Sequence, residues 1–311
     1  MKKKILITAV SLLIGGFLCT VVGLAIAGFD FTKLGNPLET NTHTITEDFN
    51  NIAIDVDTAN VRFAKSSDDS CTVVCAERVN AKHSVSVQDG TLRITVPEMK
   101  WYGYIGLNSG KESVTLYLPQ TTFNSLVVET DTSDVDMPTG FLYQRAVVET
   151  DTGDIRWKAT VTDSLSLTVD TGDVEVKGAG ITTLRVESDT GDVELTGLLC
   201  QNVFVETESG DVEVSSVQCA NVSLKTDTGE VDCQGLIALA NISVETDTGD
   251  VELDGCDADS LKIITDTGDV RGRLLTDKHY IARSDTGDIQ VPDTVGGKCE
   301  IITDTGDIYF R

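Results

Sequence analysis

The tripeptide Asp-Thr-Gly, which holds the catalytic aspartates of acid proteases, occurs eight times in this chain. It begins at Asp151, Asp170, Asp189, Asp227, Asp247, Asp266, Asp285 and Asp304. Two variants, Asp131-Thr132-Ser133 and Glu208-Ser209-Gly210, complete a series spaced by 19 or 20 residues. Acid proteolysis needs one pair of aspartates that share a proton in a cleft. Because ten near-identical positions offer no unique pair, we predict no catalytic residue, and the fixed period indicates a repeat architecture.

The repeats place acidic side chains in two columns, the first Asp of each motif and the residue three positions later. Unit charges about 5 Å apart repel by about 1 kcal/mol in water, and Ca²⁺, which takes about 6–8 oxygen ligands, would relieve this repulsion. The candidate calcium ligands are Asp151, Asp154, Asp170, Asp173, Asp189, Asp192, Asp247, Asp250, Asp266 and Asp269. The alternative is that these carboxylates accept hydrogen bonds from the amides of a turn. No other cofactor is predicted.

The residues around each motif alternate as they do in a β-strand. Positions five and three before the first Asp are almost all apolar, as Ile242 and Val244 are before Asp247, and a period of two places them on one face. After Gly249 the apolar positions change parity, which indicates a corner that glycine permits. Stacked corners predict an all-β fold, a single-stranded parallel β-solenoid of 19-residue repeats with two or three short strands per turn.

Residues 47–122 do not follow the regular 19-residue period of the repeat array at 123–311. Ile52, Ile54, Val61 and Phe63 fit the repeat columns and predict a first rung of the solenoid. The segment HSVSVQDGTLRITVP predicts a hairpin that turns at Asp89-Gly90. We expect this region to add a small antiparallel insert that covers one end of the solenoid, as such arrays generally require.

The N-terminus is apolar over residues 5–29, a length that crosses a hydrocarbon core of about 30 Å. The lysines in residues 1–4 predict a cytoplasmic tail, and residues 30–46 a juxtamembrane linker. The predicted location is the cell membrane, with a single span and an extracellular solenoid. The alternative is a cleaved signal peptide with a site at Ala25-Ile26-Ala27, although the apolar run exceeds the usual length. Because Leu18 precedes Cys19, lipid attachment is not expected.

The charge of the chain limits its partners. The formal net charge is −26, and the residues after the N-terminal lysines carry 21 basic and 50 acidic side chains. Nucleic acid and anionic lipid are poor partners for such a surface, whereas cations, basic proteins and glycans are compatible with it. Trp101, Tyr102 and Tyr104 form an aromatic cluster, which suits binding of a protein or glycan or packing of the insert. The chain stops at Arg311 after a complete rung, which predicts an open end suited to self-association.

The cysteines and histidines predict no transition-metal centre. His43, His83 and His279 lie far apart in sequence, so no ligand cluster is visible. Most of the eight cysteines have the character of small buried core residues. Cys200 and Cys219 lie one repeat apart, so a disulfide and a pair of stacked thiols are both open for them.

The segment LPQTTFNSLVVETDTSDV at 118–135, followed by repeated DTGDV blocks, resembles the bacterial putative-adhesin, or toastrack, family of domains of unknown function. The resemblance covers most of residues 45–311. It implies a single-stranded-coil β-solenoid that often follows one membrane helix and is often associated with envelope stress. It transfers no catalytic residue.

Together these features favour a bacterial, membrane-anchored, extracytoplasmic protein that acts by binding or as an envelope structural element and is not an enzyme. One alternative is a polysaccharide-active hydrolase or lyase on a β-helix scaffold. Another is a calcium-stabilised surface scaffold. A sensor role that couples the solenoid to membrane partners follows from the resemblance alone.

Overall fold

The computed structural model describes residues 12–13, 15–22, 25, 37–68, 70–96 and 110–311. Within that part of the chain, no helix has both the length and the apolar character needed to cross a membrane. Most of the predicted membrane segment lies outside the described residues, and so do Trp101, Tyr102 and Tyr104.

Each of the ten repeats forms one rung of two strands, which settles the number of strands per turn. A long strand ends at the Asp-Thr of the motif, and a short strand follows the Gly-Asp corner. The long strands are β8 (Thr122–Thr132), β10 (Leu142–Thr152), β12 (Thr160–Thr171), β14 (Gly180–Thr190), β16 (Leu199–Ser209), β18 (Gln218–Thr228), β20 (Ile237–Thr248), β22 (Ser260–Thr267), β24 (Lys278–Thr286) and β26 (Gly297–Thr305). The short strands are β9 (Val135–Met137), β11 (Ile155–Trp157), β13 (Val174–Lys177), β15 (Val193–Thr196), β17 (Val212–Ser215), β19 (Val231–Gln234), β21 (Val251–Cys256), β23 (Val270–Leu274), β25 (Ile289–Gln290) and β27 (Ile308–Phe310).

Seven further strands precede the array. They are β1 (Leu38–Ile45), β2 (Asn51–Val56), β3 (Asn60–Lys65), β4 (Cys71–Arg78), β5 (Ser84–Gln88), β6 (Thr91–Thr95) and β7 (Ser113–Leu118). Strands β2 and β3 form the predicted first rung, and β6 and β7 form one more rung outside it, because β2 pairs with both β6 and β8 in parallel.

All the strands join two sheets that enclose one core. A sheet of 14 strands contains the short strands of the rungs, and a sheet of 13 strands contains the long ones. Neighbouring rungs pair in parallel and in register, as Leu184 does with Val203, so equivalent residues stack in columns. The inward columns are buried in the rungs from β8 to β23 and in the β26–β27 rung, and are partly exposed in the β24–β25 rung. The larger side chains of Trp157 and Tyr143 fill the core near its N-terminal end. The predicted parallel β-solenoid is confirmed.

The N-terminal insert differs from the separate antiparallel sheet that we expected. The hairpin at Asp89-Gly90 forms, and both residues have positive φ angles of 51° and 72°. The strands of the insert, however, extend the two solenoid sheets. Strand β4 pairs antiparallel with β1 and β7, and β5 pairs antiparallel with β6. Strand β1 also occupies residues 38–45, where we expected a linker. Its polar side chains gave no strand signal, and backbone pairing along β4 holds it.

The spatial order of the rungs differs from the chain order at both ends. The last rung in the chain, β26 and β27, lies between the β22–β23 rung and the β24–β25 rung. The inner position suits the more apolar rung, since Ile301 and Phe310 are buried whereas Ile289 of the outer rung is 45% exposed. Gly272 stands opposite Phe310 and leaves space for its ring. The open end is therefore formed by β24 and β25, not by the last rung in the chain, and self-association there remains a prediction.

The glycine of each motif is required by close stacking of the corners. Gly191 has a φ of +143°, and a Cβ atom at this position would lie 2.1 Å from the carbonyl oxygen of Gly172 in the preceding rung. The same contact, at 1.9–2.2 Å, recurs from Gly153 to Gly306 along the column. Any larger residue would separate the rungs at this corner.

We expect Gly191→Ala to lower the free energy of unfolding by about 2–4 kcal/mol, because backbone strain adds to a clash with Gly172. Gly180→Ala is the matched control, since its Cβ would meet only the Thr160 methyl at 3.7 Å, and we expect a loss below about 1 kcal/mol. Urea denaturation of both variants measures the difference. Equal losses would contradict the stacking role.

Candidate functional site: acidic corners and an acidic strip

The second acidic column of the motif forms a ladder of hydrogen bonds between rungs. The backbone N–H of Asp192 donates to Asp173 Oδ1 at 3.0 Å, and the N–H of Asp211 donates to Asp192 Oδ1 at 2.9 Å. Equivalent bonds of 2.7–3.3 Å occur at Asp154, Asp173, Glu230, Asp269, Asp288 and Asp307. Each carboxylate thus satisfies an amide that the corner would otherwise leave without an acceptor.

The residue before the first Asp also bonds across the rungs. The hydroxyl of Thr226 donates to the Gly210 carbonyl at 3.1 Å, and that of Thr246 donates to the Gly229 carbonyl at 3.3 Å. Both threonines are buried. In the segment Thr-Asp-Thr-Gly-Asp, the first Thr, the Gly and the last Asp therefore stabilise the corner. The first Asp and the Thr that follows it do not make these contacts.

The predicted calcium ligands come together along one edge of the solenoid. Asp151, Asp170, Asp189, Asp247 and Asp266 are exposed at the ends of the long strands, and their second-column partners follow at the corner. At the start of the exposed column, burial and the nearby carboxylates of Asp57 and Asp151 raise the pKa of Asp131. Because one oxygen of most second-column carboxylates already serves an amide, the structure favours the corner interpretation, and calcium binding stays a prediction.

A column of outward side chains on the short strands adds an acidic surface beside the corners. In register it runs Arg156, Glu175, Glu194, Glu213, Asp232, Glu252 and Arg271. We call Glu213, Asp232 and Glu252 the acidic strip. Since neighbouring strands lie about 4.8 Å apart, the strip places three carboxylates within about 10 Å.

Basic side chains compensate the two ends of this column but leave its middle negative. Lys177 Nζ lies 3.2 Å from Glu175 and 2.8 Å from Glu194, and Arg156 and Arg271 pair with corner aspartates. Among the described residues, no salt bridge involves the acidic strip. In the described part of the chain, Asp232 Oδ1 is also buried without a hydrogen-bond partner, whereas Asp232 Oδ2 accepts a hydrogen bond from Gln234 Nε2 at 3.1 Å. The strip is thus an uncompensated negative surface flanked by positive charge.

The cysteines of the array are free thiols in this structure, partly exposed at Cys200 and buried at Cys219, Cys233, Cys256 and Cys299. Cys200 and Cys219 occupy neighbouring rungs as free thiols, and burial raises their pKa values to about 12 and about 11. Such thiols are poor nucleophiles.

The expectation that the histidines belong to no cluster of metal-ligating residues is wrong for His83. His83 lies beside Cys75 and Glu77, and the ligand atoms of the three residues are within 4.8 Å of one another. The expectation considered the distances among the three histidines, whereas the partners of His83 are a cysteine and a glutamate that precede it by eight and six residues, across the chain reversal after β4. The alternation of Cys75 and Glu77 on one strand face was the available signal.

These features define a two-sheet parallel β-solenoid whose corners are held by glycine and carboxylate ladders. A family model described as Toastrack DUF4097 matches residues 49–234 and 200–311. The chain belongs to this family.

Solved structures from two bacterial species are similar to this chain. A crystal structure of a putative adhesin from Parabacteroides distasonis covers 89% of this chain and 98% of its own, with 14% identity and a TM-score of 0.50. A putative adhesin from Bacteroides fragilis covers 89% and 99%, with 18% identity and a TM-score of 0.43. A putative lipid binding protein from Parabacteroides distasonis covers 88% and 97%, with 13% identity and a TM-score of 0.46. No curated protein matches the chain. At 14% identity, the similarity to the putative adhesin from Parabacteroides distasonis supports the fold alone.

We expect Asp192→Ala to destabilise the solenoid by about 1–2 kcal/mol, because the amide of Asp211 loses its acceptor. Asp192→Asn keeps an oxygen in the same place and removes one of the stacked charges, so its stability should equal or exceed that of the wild type. Thermal and urea unfolding of both variants tests the ladder. An Asn variant as unstable as the Ala variant would show that the charge matters more than the hydrogen bond.

Calcium provides a separate test of the acidic columns. If the ladder carboxylates serve amides, millimolar Ca²⁺ should shift the thermal midpoint no more than Mg²⁺ does at the same ionic strength. A cation that binds the folded state selectively would raise the midpoint with its concentration. A rise specific to Ca²⁺, reversed by a chelator, would make the columns calcium sites.

Proposed function

We propose that this chain is a non-catalytic surface protein, anchored in the cell membrane by residues 5–29, that binds a basic partner along the acidic strip of its solenoid. The observation that carries the proposal is the uncompensated negative charge of Glu213, Asp232 and Glu252 on a rigid sheet. The solved structure from Parabacteroides distasonis that shares this fold is called a putative adhesin, a name that fits a role at the cell surface.

The described helical residues of the N-terminal segment support the membrane anchor. Leu12, Leu13 and Phe17 are each more than 70% exposed. Apolar helical side chains with no protein surface to cover them are suited to lipid. The lysines before this segment favour a cytoplasmic N-terminus, which would place the solenoid outside the cell.

The corner geometry supports a non-catalytic role. Acid catalysis by paired carboxylates requires groups whose environments push their pKa values apart. Here the second-column aspartates instead repeat one structural hydrogen bond from rung to rung, and the first-column aspartates are exposed.

The charge pattern of the strip indicates the chemistry of the partner. In-register carboxylates repel each other by about 1 kcal/mol per neighbouring pair in water and by several times more near a protein surface. A cationic segment laid across them would relieve this repulsion, and the flanking Arg156 and Arg271 would limit its extent. A basic protein segment fits this surface better than a neutral glycan, because a neutral glycan has no positive charge to offset the repulsion among the carboxylates.

We expect a triple variant of the strip, Glu213→Gln, Asp232→Asn and Glu252→Gln, to bind a fluorescent oligolysine peptide about tenfold more weakly than the wild type, which corresponds to about 1.4 kcal/mol. The matched control, Glu129→Gln, Glu149→Gln and Glu245→Gln, removes the same charge from exposed positions of the long-strand sheet. Fluorescence anisotropy at physiological salt measures both. Equal weakening by the two variants would show that binding follows net charge and not the strip.

A further inference from the structure

The inner face of the N-terminal cap, formed by β1, β4 and the turn that leads to β5, gathers three different metal-ligating side chains. Cys75 and Glu77 project from the same face of β4, and His83 reaches them after the chain reverses. Their ligand atoms lie within 4.8 Å of one another. All three residues are buried, with exposures of 0%, 1% and 5%.

Hydrogen bonds hold the cluster in one arrangement. Asn41, opposite Cys75 on β1, donates to Glu77 Oε1 at 2.6 Å. The backbone N–H of His83 donates to Glu77 Oε2 at 2.6 Å, and His83 Nδ1 lies 2.7 Å from the same oxygen. Burial favours a higher pKa for Glu77, but the hydrogen bonds from Asn41 and His83 outweigh it and lower the pKa. These contacts fix the Glu77 carboxylate beside Cys75 and His83.

A second histidine on β1 does not belong to the cluster. The Nε2 atom of His43 is buried and, among the described residues, has no hydrogen-bond partner. His43 is opposite Val73 on β4, and the ligand atoms that lie within 4.8 Å of one another come from Cys75, Glu77 and His83. The candidate site is therefore built from these three residues.

The Glu77–His83 pair alone does not account for this arrangement. It leaves the buried Cys75 thiol beside a carboxylate with which a thiol pairs poorly. A bound divalent cation would use all three groups. Thiolate, imidazole and carboxylate together form a donor set that suits zinc.

We propose that Cys75, Glu77 and His83 bind a divalent metal ion of the zinc class inside the cap. The metal replaces the proton of the Cys75 thiol, which passes to solvent, and takes the place of the hydrogen bond between His83 Nδ1 and Glu77. The site ties β4 to the turn before β5 at the end of the solenoid, where its sheets need closure.

The test uses the full chain, reduced and freed of metal with a chelator, and titrated with Co²⁺ and then Zn²⁺. We expect one equivalent of Co²⁺ to give thiolate-to-cobalt charge-transfer absorption, Zn²⁺ to displace it, and Zn²⁺ to raise the thermal midpoint. Cys75→Ala should abolish the absorption and the shift. Cys71→Ala, which removes another buried thiol from the same face of β4, should retain both.

A second variant keeps the test informative if Cys75→Ala fails to fold. His83→Gln keeps a polar side chain beside Glu77 but removes the imidazole, and it should weaken Co²⁺ binding about tenfold or more, with little change in the metal-free melting curve. Absence of the charge-transfer band in the wild type, or its persistence in Cys75→Ala, would overturn the proposal. Wild-type affinity in His83→Gln would do the same.

Discussion

The close stacking of glycine corners is the contact on which the other features of this solenoid depend. At each corner the carbonyl of one rung occupies the space that a Cβ atom of the next would need, as Gly172 does beneath Gly191. This contact leaves one relative position for neighbouring rungs. Because all equivalent residues then stack in register, the core columns, the hydroxyl column, the carboxylate ladder and the acidic strip all follow from it.

The same register creates an electrostatic cost that the chain offsets unevenly. Like charges are stacked at every corner, and the ladder offsets their repulsion by giving most second-column carboxylates an amide donor, as when Asp192 accepts a hydrogen bond from the Asp211 amide. On the short strands the compensation comes from basic side chains such as Lys177. Among the described residues, no basic side chain forms a salt bridge with Glu213, Asp232 or Glu252. This lack of compensating salt bridges among the described residues is the basis of our proposal that the strip binds a basic partner.

The repeat pattern predicts what every rung shares and does not predict how the rungs are ordered. The corner at Gly249, the apolar columns and the hairpin at Asp89-Gly90 follow from local rules, so the sequence reveals them. The position of β26 and β27 inside β24 and β25 does not, since every rung offers its neighbours the same backbone pairing. Only the fit of Phe310 against Gly272 and the poorer apolar character of the outer rung select that order. Contacts of this kind depend on packing, which a one-dimensional pattern does not contain.

Repetition also determines where a unique site can occur. A column of ten equivalent corners makes a long surface, but it cannot make a single pocket, since every group has copies one rung away. The cap breaks the repeat, and there His83, Glu77 and Cys75 meet only once. These buried polar groups cost free energy unless they are paired or ligated, and the pairing by Asn41 and His83 accounts for Glu77 but not for the thiol. The array therefore suits broad electrostatic contact, whereas a specific chemical site requires the irregular end of the molecule.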